Sequence, residues 1–169
     1  MKRISKIISA VVLTFVFCLT LAGCSVYHDY KDNLPYHNVY EKIKLDKLVK
    51  VLDKEKNNDT KGEVTYVVYA SNKETASTTA ITVLNEQAKQ YGIDKIYYLD
   101  CAKYYTKSSG RKNVQDKLGM KDASVCPTIL VYIDGQLKVD WSKTSIKDKY
   151  DNNYTKLCYD IFANVDKLK

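Results

Sequence analysis

The chain has 169 residues, 27 Lys and Arg against 20 Asp and Glu, a formal charge of +7 and a sequence pI near 9.0. The excess is almost all lysine, spread along the chain and interleaved with acids. That is the pattern of a solvated surface with some attraction for anionic lipid headgroups, and it argues against a nucleic-acid partner. Two histidines and five cysteines, with no C-x-x-C pair and no Cys/His cluster, exclude a zinc site.

In chain order, Lys2, Arg3 and Lys6 make a positive start, and Ile7 to Leu19 is apolar apart from Ser9 and Thr14. Leu21-Ala22-Gly23-Cys24 follows. A charged start, a short apolar core and small residues before a cut are the parts of a secretory signal. The apolar run is shorter than the roughly 20 residues that a membrane span needs. The Leu-Ala-Gly-Cys run resembles the lipobox of bacterial lipoproteins. The resemblance implies cleavage before Cys24, diacylglycerol on its sulfur with two acyl chains such as palmitate, and a protein held at the extracytoplasmic face of the cell membrane. Residues 1–23 then form the signal peptide and carry three positive charges and no acid, so their loss lowers the formal charge of +7 by three.

Residues 24–38 read as a polar, Tyr-rich lipidated tether with Pro35 and both histidines, His28 and His37. Two isolated histidines there are ordinary linker polarity, and no metal is expected. Residues 39–169 are one domain with room for a core.

Val39 to Lys44 reads as a short first strand and Asp46 to Lys54 as a helix, with Leu45, Leu48, Val49 and Leu52 at helical spacing. Val64 to Tyr69 is β-branched and aromatic, hence a buried strand. In the next helix Ala76, Ala80, Val83, Leu84, Ala88 and Tyr91 share a face, and Gly92 stops it. Lys95 to Leu99 is a strand, Tyr104 to Gly110 a polar loop, and Asn113 to Leu118 a short helix. Thr128 to Ile133 and Gln136 to Trp141 are strands joined by an Asp134-Gly135 hairpin turn. The last helix places Tyr154, Leu157, Cys158, Ile161, Phe162 and Val165 on one face. Alternation of strands and helices predicts parallel pairing, and the hairpin adds an antiparallel pair.

This order, with three local motifs, resembles the thioredoxin family. Val125-Cys126-Pro127-Thr128 before I-L-V-Y-I-D-G-Q is similar to its cis-proline segment, with Pro127 at a strand's first residue, where a missing N–H does least harm. V-V-Y-A-S before an amphipathic helix occupies the place of its active-site strand and helix. Y-Y-L-D is similar to the strand that ends in Asp beside that site. The resemblance covers about Val39 to Lys169 and implies a three-layer α/β/α fold with a mixed sheet of four or five strands and a cis-Pro loop. Within the fold it points to small extracytoplasmic proteins that include the bacteriocin transport accessory proteins.

The chain departs from the family at its active-site turn. Counting back from Leu84, the C-x-x-C positions fall on Glu74 and Ser77, and no cysteine lies between Ser25 and Asp100. Disulfide exchange needs a thiolate, and a serine without a base is a poor nucleophile. Glu74 is expected to cap the positive end of a solvated helix start.

Cys101, Cys126 and Cys158 remain for chemistry. Cys126 is either a thiol beside the groove, able to form a mixed disulfide, or a small apolar residue opening a strand. Cys101 is on the same sheet edge, and the two are the candidate redox pair. A strand between theirs puts their Cα atoms near 10 Å, beyond the roughly 4.4–6.8 Å of a disulfide. Cys158 falls on the apolar stripe of the last helix and reads as core.

Tyr97, Tyr98, Tyr104 and Tyr105 read as core rather than a binding patch, and the basic loop Lys107 to Lys112 as exposed surface rather than a phosphate site. No cofactor motif appears. The expected function is a membrane-anchored, redox-inactive thioredoxin-like module binding a protein or peptide at the groove of Cys126, Pro127 and Thr128, in secretion or bacteriocin handling. The alternative is a thiol–disulfide oxidoreductase or redox sensor using Cys126, with or without Cys101.

Overall fold

The computed structural model describes residues 34, 38–58, 61–151 and 153–168. Five strands form one sheet in the order β1-β3-β2-β4-β5. They are β1 (Tyr40–Lys42), β2 (Val64–Ala70), β3 (Ile96–Asp100), β4 (Thr128–Ile133) and β5 (Gln136–Asp140). The pairs β1–β3 and β2–β3 are parallel, and β2–β4 and β4–β5 antiparallel. The short first strand is therefore real, and the fold is thioredoxin-like on its own topology.

Alternation along β2 divides the core in two. Tyr66, Val68 and Ala70 face a cluster with Ile81, Leu84 and Ala88 of α2 (Thr75–Gln90) and with Leu157, Ile161 and Phe162 of the C-terminal segment. Val67 and Tyr69 face the other, with Leu45, Leu48 and Leu52 of α1 (Leu45–Lys56) and Val114 and Leu118 of α3 (Ser108–Leu118). Helices thus cover both faces of the sheet.

Chain reversals follow local chemistry. After α2, Gly92 has φ +68° and Ile93 N–H donates to the Ala88 carbonyl at 2.8 Å, a Schellman closure. Asp134 and Gly135 both have positive φ, 51° and 66°, as a tight hairpin turn with the twist of its strands requires. The Asp134 carboxylate also accepts the Gly62 N–H at 2.8 Å, tying the hairpin to the entry of β2.

Three expectations need correction. Helix α3 starts at Ser108, inside the stretch read as a polar loop. A Cβ on Gly110 would lie 2.6 Å from the Tyr104 carbonyl oxygen, so this glycine is there for a close backbone approach. A further helix, α4 (Thr144–Tyr150), has almost no apolar stripe and gave no periodic signal. The final helix is interrupted: α5 (Tyr154–Cys158) opens into a π turn at Tyr159–Ala163 and closes in a 3₁₀ turn at Val165–Leu168. Leu157, Cys158, Ile161 and Phe162 are buried all the same. The apolar spacing is therefore met without one regular helix, and periodicity does not report the break.

Candidate functional site

Strand β2 ends at Ala70, which pairs with Asp100 at the end of β3, while Tyr69 pairs with Thr128 at the start of β4. The segments just beyond these strand ends meet at one edge of the sheet. After β3 the chain turns at once into a 3₁₀ turn, Cys101–Lys103, capped by the Asp100 carboxylate, which accepts the Ala102 N–H at 3.1 Å. Before β4 lies Val125-Cys126-Pro127, with a cis Cys126–Pro127 bond. Thr128 is buried, and its hydroxyl donates to the Val125 carbonyl at 2.7 Å, closing this loop on itself.

Cys101 and Cys126 are joined by a disulfide, with Cα atoms 6.9 Å apart. This corrects the expected separation near 10 Å. Strand β2 does lie between their strands, and two interstrand spacings of about 4.8 Å would keep them apart within the sheet. Neither cysteine is in a strand, however. Both lie one or two residues past a strand end, and the bridge crosses over the end of β2. The bridge also overturns the reading of Cys126 as merely a small apolar residue.

The two sulfurs have unequal surroundings. Cys101 has no exposed surface and packs with Tyr69, Val114 and Ala123 in the cluster under α1 and α3. Burial pushes the Tyr69 phenol up, so it stays protonated and donates to the Ala123 carbonyl at 3.2 Å, fixing the floor below the bridge. Cys126 is only half-buried. Ser77 Oγ lies 3.4 Å from Cys126 Sγ.

Glu74 and Ser77, where the sequence reading expected the C-x-x-C positions, flank the start of α2. Glu74 is the N-cap residue in extended conformation, but its side chain makes no capping hydrogen bond, against expectation. Ser77 is fully buried rather than solvated, because the cis-proline loop covers it. Its oxygen accepts the Ser71 N–H at 3.2 Å. Ser71, directly after β2, is the site residue that sequence reading missed; its place between strand and helix was the available signal.

Cys158 is free and buried, its thiol pushed up to about 12 by burial. Tyr97 and Tyr98 are core, on opposite faces of the sheet. Arg111, in the stretch weighed as a phosphate site, donates to the Tyr105 carbonyl at 2.5 Å. Among the described residues no three His, Cys, Asp or Glu side chains converge as a metal site, and no helix is long and apolar enough to cross a membrane. Cys24, His28 and His37 lie outside the described residues. An open cavity of about 580 Å³, lined by Lys56, Lys61, Lys138 and Asp134, lies at the end of the sheet opposite the disulfide. A smaller one of about 200 Å³, lined by Ile43, Leu99, Asp100 and Tyr104, flanks the Cys101 turn.

No family model matches the chain, and no curated protein matches it. Solved structures similar to it include a protein with a thioredoxin fold named as a candidate oxidoreductase, at 15% identity and TM-score 0.46 over 68% of this chain and 95% of that one. Another is the thioredoxin NaTrxh of Nicotiana alata, at 14% identity and TM-score 0.44 over 67% and 90%. Likeness at this level carries no chemistry across to this chain.

Proposed function

We propose that this chain is a lipid-anchored extracytoplasmic protein that receives an extended protein or peptide segment beside Val125-Cys126-Pro127 and exchanges disulfides with it through Cys101 and Cys126. One observation carries the reading: the Cys101–Cys126 bridge sits in the cis-proline loop, with a buried sulfur on one side and a half-buried one on the other. Val125 and Cys126 are half-buried, and the backbone leading into β4 can pair with an extended chain through hydrogen bonds. A thiol–disulfide pair beside it can act on whatever is bound there. The anchor rests on the Leu-Ala-Gly-Cys run ending at Cys24. The resemblance read from the sequence favours an accessory role in secretion, bacteriocin handling or envelope thiol balance.

The test is reduction of insulin by dithiothreitol, followed by turbidity. Wild type should accelerate it, and Cys126→Ser and Cys101→Ser should not. A second reading, binding without exchange, is favoured by the complete burial of Cys101 and by the absence of thiols at Glu74 and Ser77. Wild type no faster than Cys126→Ser, with both capturing the same protein from the envelope, would establish that reading instead. For the anchor, Cys24→Ser should move the protein from the membrane fraction to the soluble one.

A further inference from the structure

We infer that Ser77 is a positioning residue that holds the Cys126 sulfur as a thiolate, making Cys126 the sulfur that meets the partner and Cys101 the one that resolves the exchange. This rests on the exchange reading above and assigns roles within it.

The Ser71 N–H can only donate, so the Ser77 oxygen is its acceptor at 3.2 Å. The hydroxyl proton of Ser77 is then left for its other neighbour, Cys126 Sγ, at 3.4 Å. A disulfide sulfur is a weak acceptor, whereas a thiolate is a charged one, and hydrogen bonds to charged acceptors are about twice as strong. The contact therefore strengthens when the bridge opens, and it favours the charge on Cys126.

Helix α2 adds to this. Ser77 is in its first turn, where backbone N–H groups point outward and favour negative charge, and the Glu74 side chain does not cap them. The charged side chains on the elements around the bridge are Lys73 and Glu74 ahead of α2, Asp100 and Lys103 after β3, which pair at 4.0 Å, Arg111 in α3, and Asp122 ahead of the cis-proline loop. By sign, Glu74, Asp100 and Asp122 oppose the thiolate, and Lys73, Lys103 and Arg111 support it. Ser77 is the side chain in contact with the sulfur. Cys101, by contrast, lies in an apolar cluster where an ionised thiol is disfavoured, and a partner cannot reach it.

The exchange then runs as follows from the reduced chain. The Cys126 thiolate attacks one sulfur of a partner disulfide. The Cys126–partner bond forms, the partner's own S–S bond breaks, and its second sulfur leaves as a thiolate and takes a proton. Cys101 loses its proton and attacks Cys126 Sγ, so that the Cys101–Cys126 bond forms and the first partner sulfur departs and is protonated. The partner disulfide has been reduced to a dithiol by two electrons, and this chain's dithiol has been oxidised. A partner dithiol drives the same steps in reverse.

The experiment uses the full chain in detergent with Cys101→Ala, which leaves Cys126 unpaired; Cys101→Ser serves if that variant folds poorly. Iodoacetamide labelling of the Cys126 peptide is followed by mass spectrometry from pH 5 to 10. The midpoint is expected below the ordinary thiol value of about 8.5. Adding Ser77→Ala should raise it and slow labelling at pH 6 about tenfold, and Ser77→Thr should restore most of the rate. A midpoint at or above the ordinary value, or one that Ser77→Ala does not move, overturns the assignment. Because labelling needs no partner, a low midpoint with no insulin reduction would sink only the exchange reading.

Discussion

Cys101 and Cys126 are bridged across the end of β2, a strand that separates β3 from β4 throughout the sheet. The bridge closes a sequence separation of 25 residues that includes all of α3. It links the turn after β3 to the cis-proline loop and so fixes the two sides of the candidate site relative to each other.

The bridge should therefore stabilise the fold as well as carry chemistry. For a loop of this length the chain-entropy account gives about 3.5 kcal/mol. Urea unfolding with and without dithiothreitol should show a lower midpoint after reduction. Tryptic peptides containing Cys101 and Cys126 should migrate as one linked species before reduction, and a link from either to Cys158 would contradict the geometry.

Gly110→Ala poses two opposed effects. Alanine has the better helix propensity, by about 1 kcal/mol. Its Cβ, however, would meet the Tyr104 carbonyl at 2.6 Å, and Tyr104 N–H donates to the Cys101 carbonyl at 2.9 Å. Overpacking of this kind costs about 1–3 kcal/mol. The variant is expected to be less stable in thermal unfolding; a more stable one would show that the Tyr104 segment gives way freely.

Glu55 is a buried carboxyl, 4% exposed, whose Oε1 accepts from Thr65 at 2.6 Å and whose Oε2 has no close hydrogen-bond partner among the described residues. Burial raises its pKa, with Glu63 acting in the same direction, and the Thr65 hydroxyl, the Gly135 N–H and Lys95 against it. A carboxyl raised in the folded state favours folding below its unfolded pKa, and that advantage is lost as pH climbs through the folded value. As pH rises above the ordinary glutamate value of about 4.3, wild type should thus lose stability relative to Glu55→Gln. Equal pH slopes in urea unfolding would show that Glu55 is not desolvated.

Cys158 should not react with iodoacetamide at pH 8 in the folded protein, since burial pushes its thiol up to about 12. Labelling should appear only on unfolding, in step with the loss of secondary structure. Labelling of Cys158 under native conditions would place it outside the core.

Tyr150→Phe keeps the ring against Trp141 but removes the phenol that donates to Asp160 at 2.8 Å. That bond, with Lys149 also helping, lowers the Asp160 pKa. A lowered carboxyl stabilises the fold above its unfolded pKa, and this is lost as pH falls through the folded value. The variant should be less stable at neutral pH by about 0.5–1.5 kcal/mol, and the deficit should shrink below about pH 4. A deficit independent of pH would place its origin in ring packing.

The sequence by itself determined what depends on neighbours along the chain. V-T-Y-V-V-Y could only be a buried strand, the Leu45 to Leu52 spacing a helix, and Asp134-Gly135 a hairpin turn, because each is set by alternation, helical period or positive φ. The signal-like start and Cys24 are likewise features of local order, as is the absence of cysteine from Ser25 to Asp100. Tertiary structure alone decided that Cys101 and Cys126 meet, that Ser77 is buried against their bridge, and that Gly110 lies on the Tyr104 carbonyl. Strand order fixes which strands are neighbours, but the path of the chain beyond a strand end depends on turns and packing that no spacing rule encodes. The candidate site is made entirely of such ends.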